Sequence, residues 1–96
     1  MYQAKSKVKA ERAAKYVDML SHHFSRKVTV EKSEACSQVQ FPMGLCHMSA
    51  VDGALVFRCE ADSNDALQAV QSIIDRHIPL LKHIKDTKLD WTLETL

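Results

Sequence analysis

The side chains of this chain that could do chemistry crowd into one stretch. Residues 41–62, FPMGLCHMSAVDGALVFRCEAD, hold Cys46, His47, Arg58, Cys59 and Glu60. Thiolate and imidazole are the soft ligands of metal and redox centres. Two thiols that approach one another can also form a disulfide. Which chemistry is open to them depends on the backbone that carries them.

Asp52-Gly53 lies between alternating apolar residues, a hairpin signal with a two-residue turn. That turn sets a register: Val51 faces Ala54, Ala50 faces Leu55, Ser49 faces Val56, Met48 faces Phe57, His47 faces Arg58, and Cys46 faces Cys59. Side chains alternate across a strand. Cys46, Met48, Ala50, Leu55, Phe57 and Cys59 therefore share an apolar face, and His47, Ser49, Arg58 and Glu60 share the other. Cys46 and His47 point to opposite faces, so no single metal ion can take both. Cys46 and Cys59 form a non-hydrogen-bonded pair with Cα atoms about 4.5 Å apart, within disulfide range. They read as two reduced core thiols or as a redox-sensitive pair.

The other candidates are weaker. Cys36 opens a strand with neither a base nor a cation beside it, so it reads as a half-exposed bystander. His22 and His23 diverge by about 100° on a helix and read as capping or packing groups. His77 falls within an apolar helical stripe and reads as a buried packing histidine. Gln38, Gln40, His47, Ser49, Arg58 and Glu60 form a polar set on the open face of a sheet. They are the best binding surface if the two hairpins are neighbours, and a solvated face otherwise. No phosphate loop, nucleophile elbow, HExxH or paired-carboxylate motif occurs, which disfavours an enzyme. No motif requires a metal or a cofactor.

The elements that position these residues follow from periodicity. Ala13, Val17, Leu20 and Phe24 recur at helical spacing, and residues 6–24 read as an amphipathic helix. Val28 and Val30, then Val39 and Phe41, alternate with polar residues as two strands joined by the turn Glu31–Ala35. Ser63 caps a second helix over 63–84, lined by Leu67, Val70, Ile74, His77 and Leu81. Pro79 should kink or split it near Arg76–Ile78. KLDWTLE closes the pattern as a strand with Leu89, Trp91 and Leu93 inward and Lys88, Asp90, Thr92 and Glu94 outward. Helix, four antiparallel strands, helix and strand form an α+β two-layer sandwich, with both helices on one face of the sheet.

The totals fit that architecture. Ninety-six residues, 46% hydrophobic and 26% charged, make one domain spanning 1–96 with a modest core. No apolar run approaches the roughly 18 residues of a membrane span. The N-terminus is basic but lacks the apolar segment of a secretory signal, and three cysteines without CxxC spacing do not make a disulfide framework. A cytoplasmic protein with a small-molecule or protein partner, and no membrane, is the expectation. Residues 1–27 carry seven bases against two acids. Lys5, Lys9, Arg12 and Lys15, at the start of and along the basic N-terminal helix, would permit nucleic acid as an alternative partner, though exposed aromatics for stacking bases are few.

The sequence resembles a bacterial domain-of-unknown-function family, number 2218. The stretches AAKYVDMLSHHFSRKVTVE, VQFPMGLCHM, ALVFRCEA, IIDRHI and LDWT carry the resemblance in order along nearly the whole chain. The most specific are His-Phe-x-x-Lys at His23–Lys27, Phe-Pro-x-Gly-x-Cys at Phe41–Cys46 and Leu-x-Trp at Leu89–Trp91. Pro79 departs from the uninterrupted helix of that pattern. The resemblance implies a TATA-binding-protein-like architecture and no established activity. Related domains attached to siderophore-interacting, flavin-dependent ferric reductases imply a link to iron handling. The leading expectation is a non-catalytic binding or accessory domain, with nucleic-acid binding and thiol redox chemistry as alternatives.

Overall fold

The computed structural model describes residues 1–34, 36–81 and 89–95. Six strands form one antiparallel sheet: β1 (Tyr2–Lys9), β2 (Thr29–Ser33), β3 (Cys36–Phe41), β4 (Gly44–Val51), β5 (Ala54–Ala61) and β6 (Thr92–Thr95), in the spatial order β2-β3-β4-β5-β1-β6. Helices α1 (Ala13–Ser25) and α2 (Asn64–His77) pack on the same face, α1 over β2 to β5 and α2 over β1, β4 and β5. The α+β two-layer architecture read from the sequence is the observed one.

The β4–β5 hairpin has the register set by its turn. All six pairs from Val51–Ala54 to Cys46–Cys59 are present. Asp52 and Gly53 both take positive φ, 48° and 75°, the backbone of a type I′ turn, whose twist matches that of the strands.

The N-terminal segment differs from the expected helix over 6–24. Residues 2–9 are a strand, and the helix starts only at Ala13. Ala and Lys favour a helix, but Lys5, Lys7 and Lys9 also alternate with Ser6 and Val8. Pairing with β5 on one side and β6 on the other gives every second residue a place in the core. Tertiary pairing outweighs the local propensity. The turn placed at Glu31–Ala35 is also shorter. β2 runs to Ser33, which pairs with Cys36, and Ala35 lies outside the described residues.

Helix α1 buries Ala13, Tyr16, Val17, Leu20, Ser21 and Phe24, spaced three and four apart. Helix α2 starts at Ser63, whose hydroxyl accepts the Ala66 N–H at 3.1 Å. It ends at His77, and Pro79 sits in a 3₁₀ turn over Ile78–Leu80. The ring has no N–H to donate, so the α-helix stops where its hydrogen bond would be needed. The expected helix therefore does not continue through Leu81, which is extended, and residues 82–84 lie outside the described residues.

The last strand is shorter than expected. β6 covers only Thr92–Thr95, and Leu93 is 56% exposed at the sheet edge. Leu93 is on the helix-side face, paired with Ala4, but β6 lies beyond the strands that the helices cover. Leu89 and Trp91 are partly buried against the core as expected, and Trp91 Nε1–H donates to Asp75 at 3.1 Å. Lys88 lies outside the described residues. The core centres on Phe57, Leu20, Met48, Leu55 and Leu67, fully buried between sheet and helices. Each contributes about 1.5–3 kcal/mol by leaving water.

Candidate functional site

The open face of the sheet carries the predicted polar set, and the register decides which of its members meet. Glu31 faces Gln38, Gln38 faces His47, His47 faces Arg58, and Arg58 faces Lys5. One row of side chains thus crosses five strands. The next row holds Gln40, Leu45, Glu60 and Gln3, and on the other side Cys36 faces Ser49, which faces Val56. The two hairpins are neighbours, so Gln38, His47 and Arg58 converge. Gln40 lies apart from His47, one row away beside Leu45. A concavity of about 780 Å³ opens here, lined among others by Lys5, Glu31, Gln38, His47, Ser49 and Arg58.

The charges on this face pair along β5, Arg58 with Glu60 two residues on, and on cross-strand diagonals, His47 with Glu60 and Lys5 with Glu94. Glu60 Oε1 lies 3.3 Å from Arg58 Nε and 3.6 Å from His47 Nε2. Glu94 Oε1 lies 3.7 Å from Lys5 Nζ. Lys5 and Arg58 are like charges in directly opposed positions, a destabilising pair by itself. The carboxylates in the adjacent row offset it. Partial burial lowers the pKa of His47, the nearby Arg58 lowers it further, and Glu60 opposes both. Near neutral pH His47 is therefore a neutral imidazole, able to donate through one nitrogen and accept through the other.

Lys5 is the member of this row that sequence reasoning placed elsewhere. The expected helix over 6–24 would carry Lys9, Arg12 and Lys15, with Lys5 just before it. Instead Lys5 and Lys9 are on β1, Arg12 precedes α1, and Lys15 is on α1. The four bases do not share one helix face. The alternation Lys5-Ser6-Lys7-Val8-Lys9 was the signal for a strand.

On the opposite face Cys46 and Cys59 meet as predicted, fully buried, with sulfurs 3.7 Å apart. The Cys59 hydrogen bond and then burial push the Cys46 thiol well up. A raised pKa suppresses the thiolate on which nucleophilic and exchange chemistry depends. Cys36 is exposed at the start of β3. His23 and His77, read separately from the sequence, meet with ring centroids 4.9 Å apart at the far end of the helix layer. No sequence spacing signals that meeting, because it depends on how two helices pack.

A family profile described as "Uncharacterized protein conserved in bacteria (DUF2218)" matches residues 5–92. No curated protein matches the chain. Among solved structures, the NMR structure of PA4090 from Pseudomonas aeruginosa is similar, with a TM-score of 0.82 and 23% identity over 96% of each chain. That likeness is one of fold. Among the described residues, no helix is long and apolar enough to cross a membrane.

Proposed function

This chain belongs to the DUF2218 family of uncharacterised bacterial proteins, and from that premise we propose that it is a non-catalytic binding or accessory domain. Its ligand surface is the open sheet face around His47, Arg58 and Glu60, with Gln38, Ser49 and Lys5 beside them. The observation that carries this reading is the register. It sets two cations, one imidazole and one amide in a single row across a concave face, with the Glu31 carboxylate at the row's far end. Such a row offers donors to the oxygen-rich surface of a ligand, and the rigid sheet fixes their spacing.

The ligand we infer is a ferric siderophore or a related chelate, in a cytoplasmic protein of one domain. Support for the iron link comes from the sequence resemblance, whose related domains are attached to siderophore-interacting ferric reductases. The chemistry of the face is compatible with it, since hydroxamate and catecholate oxygens accept hydrogen bonds from guanidinium and ammonium groups. Titration of the protein with gallium-loaded siderophores, as diamagnetic stand-ins for the ferric forms, tests this by amide NMR. Shifts centred on His47, Arg58 and Lys5 are expected. Unmoved signals from β3 to β5 at millimolar chelate would sink the proposal.

A further inference from the structure

The second concavity of the molecule lies on the other side of the sheet, where the ends of both helices meet the turn after β3. It encloses about 390 Å³, at the small end of the range for ligand pockets. Its walls divide by chemistry. Phe24, Phe41, Pro42 and Ile73 provide an apolar side. Phe24 and Phe41 meet edge to face with centroids 5.3 Å apart, and Phe24 lies 4.8 Å from the His77 ring. His23, Arg26, Lys27 and His77 provide the other side. No acidic side chain lines the cleft among the described residues.

Two features identify what would complete it. His77 Nδ1 lies 2.6 Å from the Ile73 carbonyl oxygen, so Nδ1 carries the proton and donates it there. This locks the ring and leaves Nε2 outside that bond. The rings of His23 and His77 are 4.9 Å apart beside two permanent cations. A proton added to His23 is therefore opposed by like charge. Among the described residues no group of three or more His, Cys, Asp or Glu side chains gathers to hold a metal ion, and Arg26 and Lys27 would repel one. We propose that this cleft binds a small organic anion, a carboxylate on an aromatic or branched apolar body. The carboxylate engages Arg26 and Lys27, and the body rests on Phe24, Phe41 and Pro42.

The electrostatics of the free protein agree with this assignment. The pKa of His23 is lowered, first by desolvation and then by His77, Arg26, Lys27 and His22. These are the charged and titratable groups facing it from α1, the segment after it, and α2. Among the described residues, the β-sheet side supplies only Val28, Phe41 and Pro42. A bound carboxylate would reverse part of that depression, so binding takes up a proton and tightens as pH falls.

The probe is 2-naphthoate, titrated into the full chain and followed by amide and imidazole NMR. Its neutral isostere 2-naphthamide and inorganic phosphate serve as comparisons. We expect saturable shifts at His23, His77 and the Phe41–Pro42 turn, with His47 and Arg58 unmoved. Affinity should be several-fold tighter at pH 5.5 than at pH 7.5. The double variant Arg26→Gln/Lys27→Gln should weaken it about tenfold. Both side chains are exposed, and the single variants provide a second reading if the double variant misfolds. Equal affinity for 2-naphthamide, or unchanged affinity in the variants, would overturn the anion assignment. Phosphate binding as tightly as naphthoate would overturn the role of the apolar wall.

Discussion

The two concavities handle positive charge in opposite ways. On the open sheet face each cation of the row has a carboxylate within 4.0 Å: Lys5 has Glu94, and Arg58 has Glu60, which also reaches His47. In the helix-side cleft, His23, Arg26, Lys27 and His77 gather with no acid among the described lining residues. The contrast follows from the elements. A strand sets every second side chain on one face, so Glu60 lies beside Arg58 on β5, and pairing brings neighbours together in rows, so Glu94 is the diagonal partner of Lys5. A helix end collects bases because its terminal carbonyls carry about half a negative charge. Both α1 and α2 end at this cleft, with His22 and His23 in one last turn and Arg76 and His77 in the other. About one negative charge in total from the two termini does not neutralise Arg26 and Lys27. Among the described residues, the sheet face pairs its cations and the cleft is left with a surplus.

Gly44→Ala should have the largest effect, because it strikes the strand beneath both sites. A Cβ there would run into the Glu60 carbonyl oxygen and come within 3.1 Å of Ala61 Cβ and Val70 Cγ2. Overpacking against backbone should cost about 2–3 kcal/mol, read as a lower urea midpoint with signals from both sites moving together. An unchanged midpoint would refute the close approach. Glu60→Gln should separate the sites. Glu60 is the group that raises the His47 pKa, so its loss should lower that pKa further while His23 titrates as before. Imidazole NMR checks this, and stability should change by less than about 1 kcal/mol. A His47 titration that does not move would break the diagonal arrangement.

The smallest expected effect is the dependence of stability on pH. His23 and His47 both have pKa values below their ordinary 6.5 in the folded protein. Between 6.5 and those lower values the unfolded chain holds more protons than the folded one. Their contribution is therefore complete above that window and is lost as pH falls through it. Urea midpoints at pH 7.5 and 5.5 should show the drop, and His23→Gln should remove part of it. A variant with an undiminished drop would show that the cleft does not hold His23 neutral.

How much of this was legible in the sequence depended on the range of the interactions. The Asp52-Gly53 turn fixed six cross-strand pairs, and with them the separation of Cys46 and Cys59 from His47 and Arg58. Ser63 marked its helix start by a bond three residues away. The strand β1 was missed because its partners are β5 and β6, far along the chain, while its composition favours a helix. Lys5 was consequently absent from the predicted face. The cleft was missed for the same reason: His23 and His77 are 54 positions apart, and the packing of two helices on one sheet brings them into contact. Leu93 had the right parity and the wrong environment, since parity does not say where the helix layer stops.

The position of β1 between β5 and β6 also orders events in time. Of the six strands β1 is the first in chain order, yet its principal partner is residues 54–61. At about 5–20 residues per second, it waits several seconds for that partner with both of its edges open. The β4–β5 hairpin, closed by a two-residue turn, can form as soon as it emerges and offers its free edge as the template. The alternating lysines of β1 are the side chains that disfavour edge-to-edge pairing of a strand while it waits.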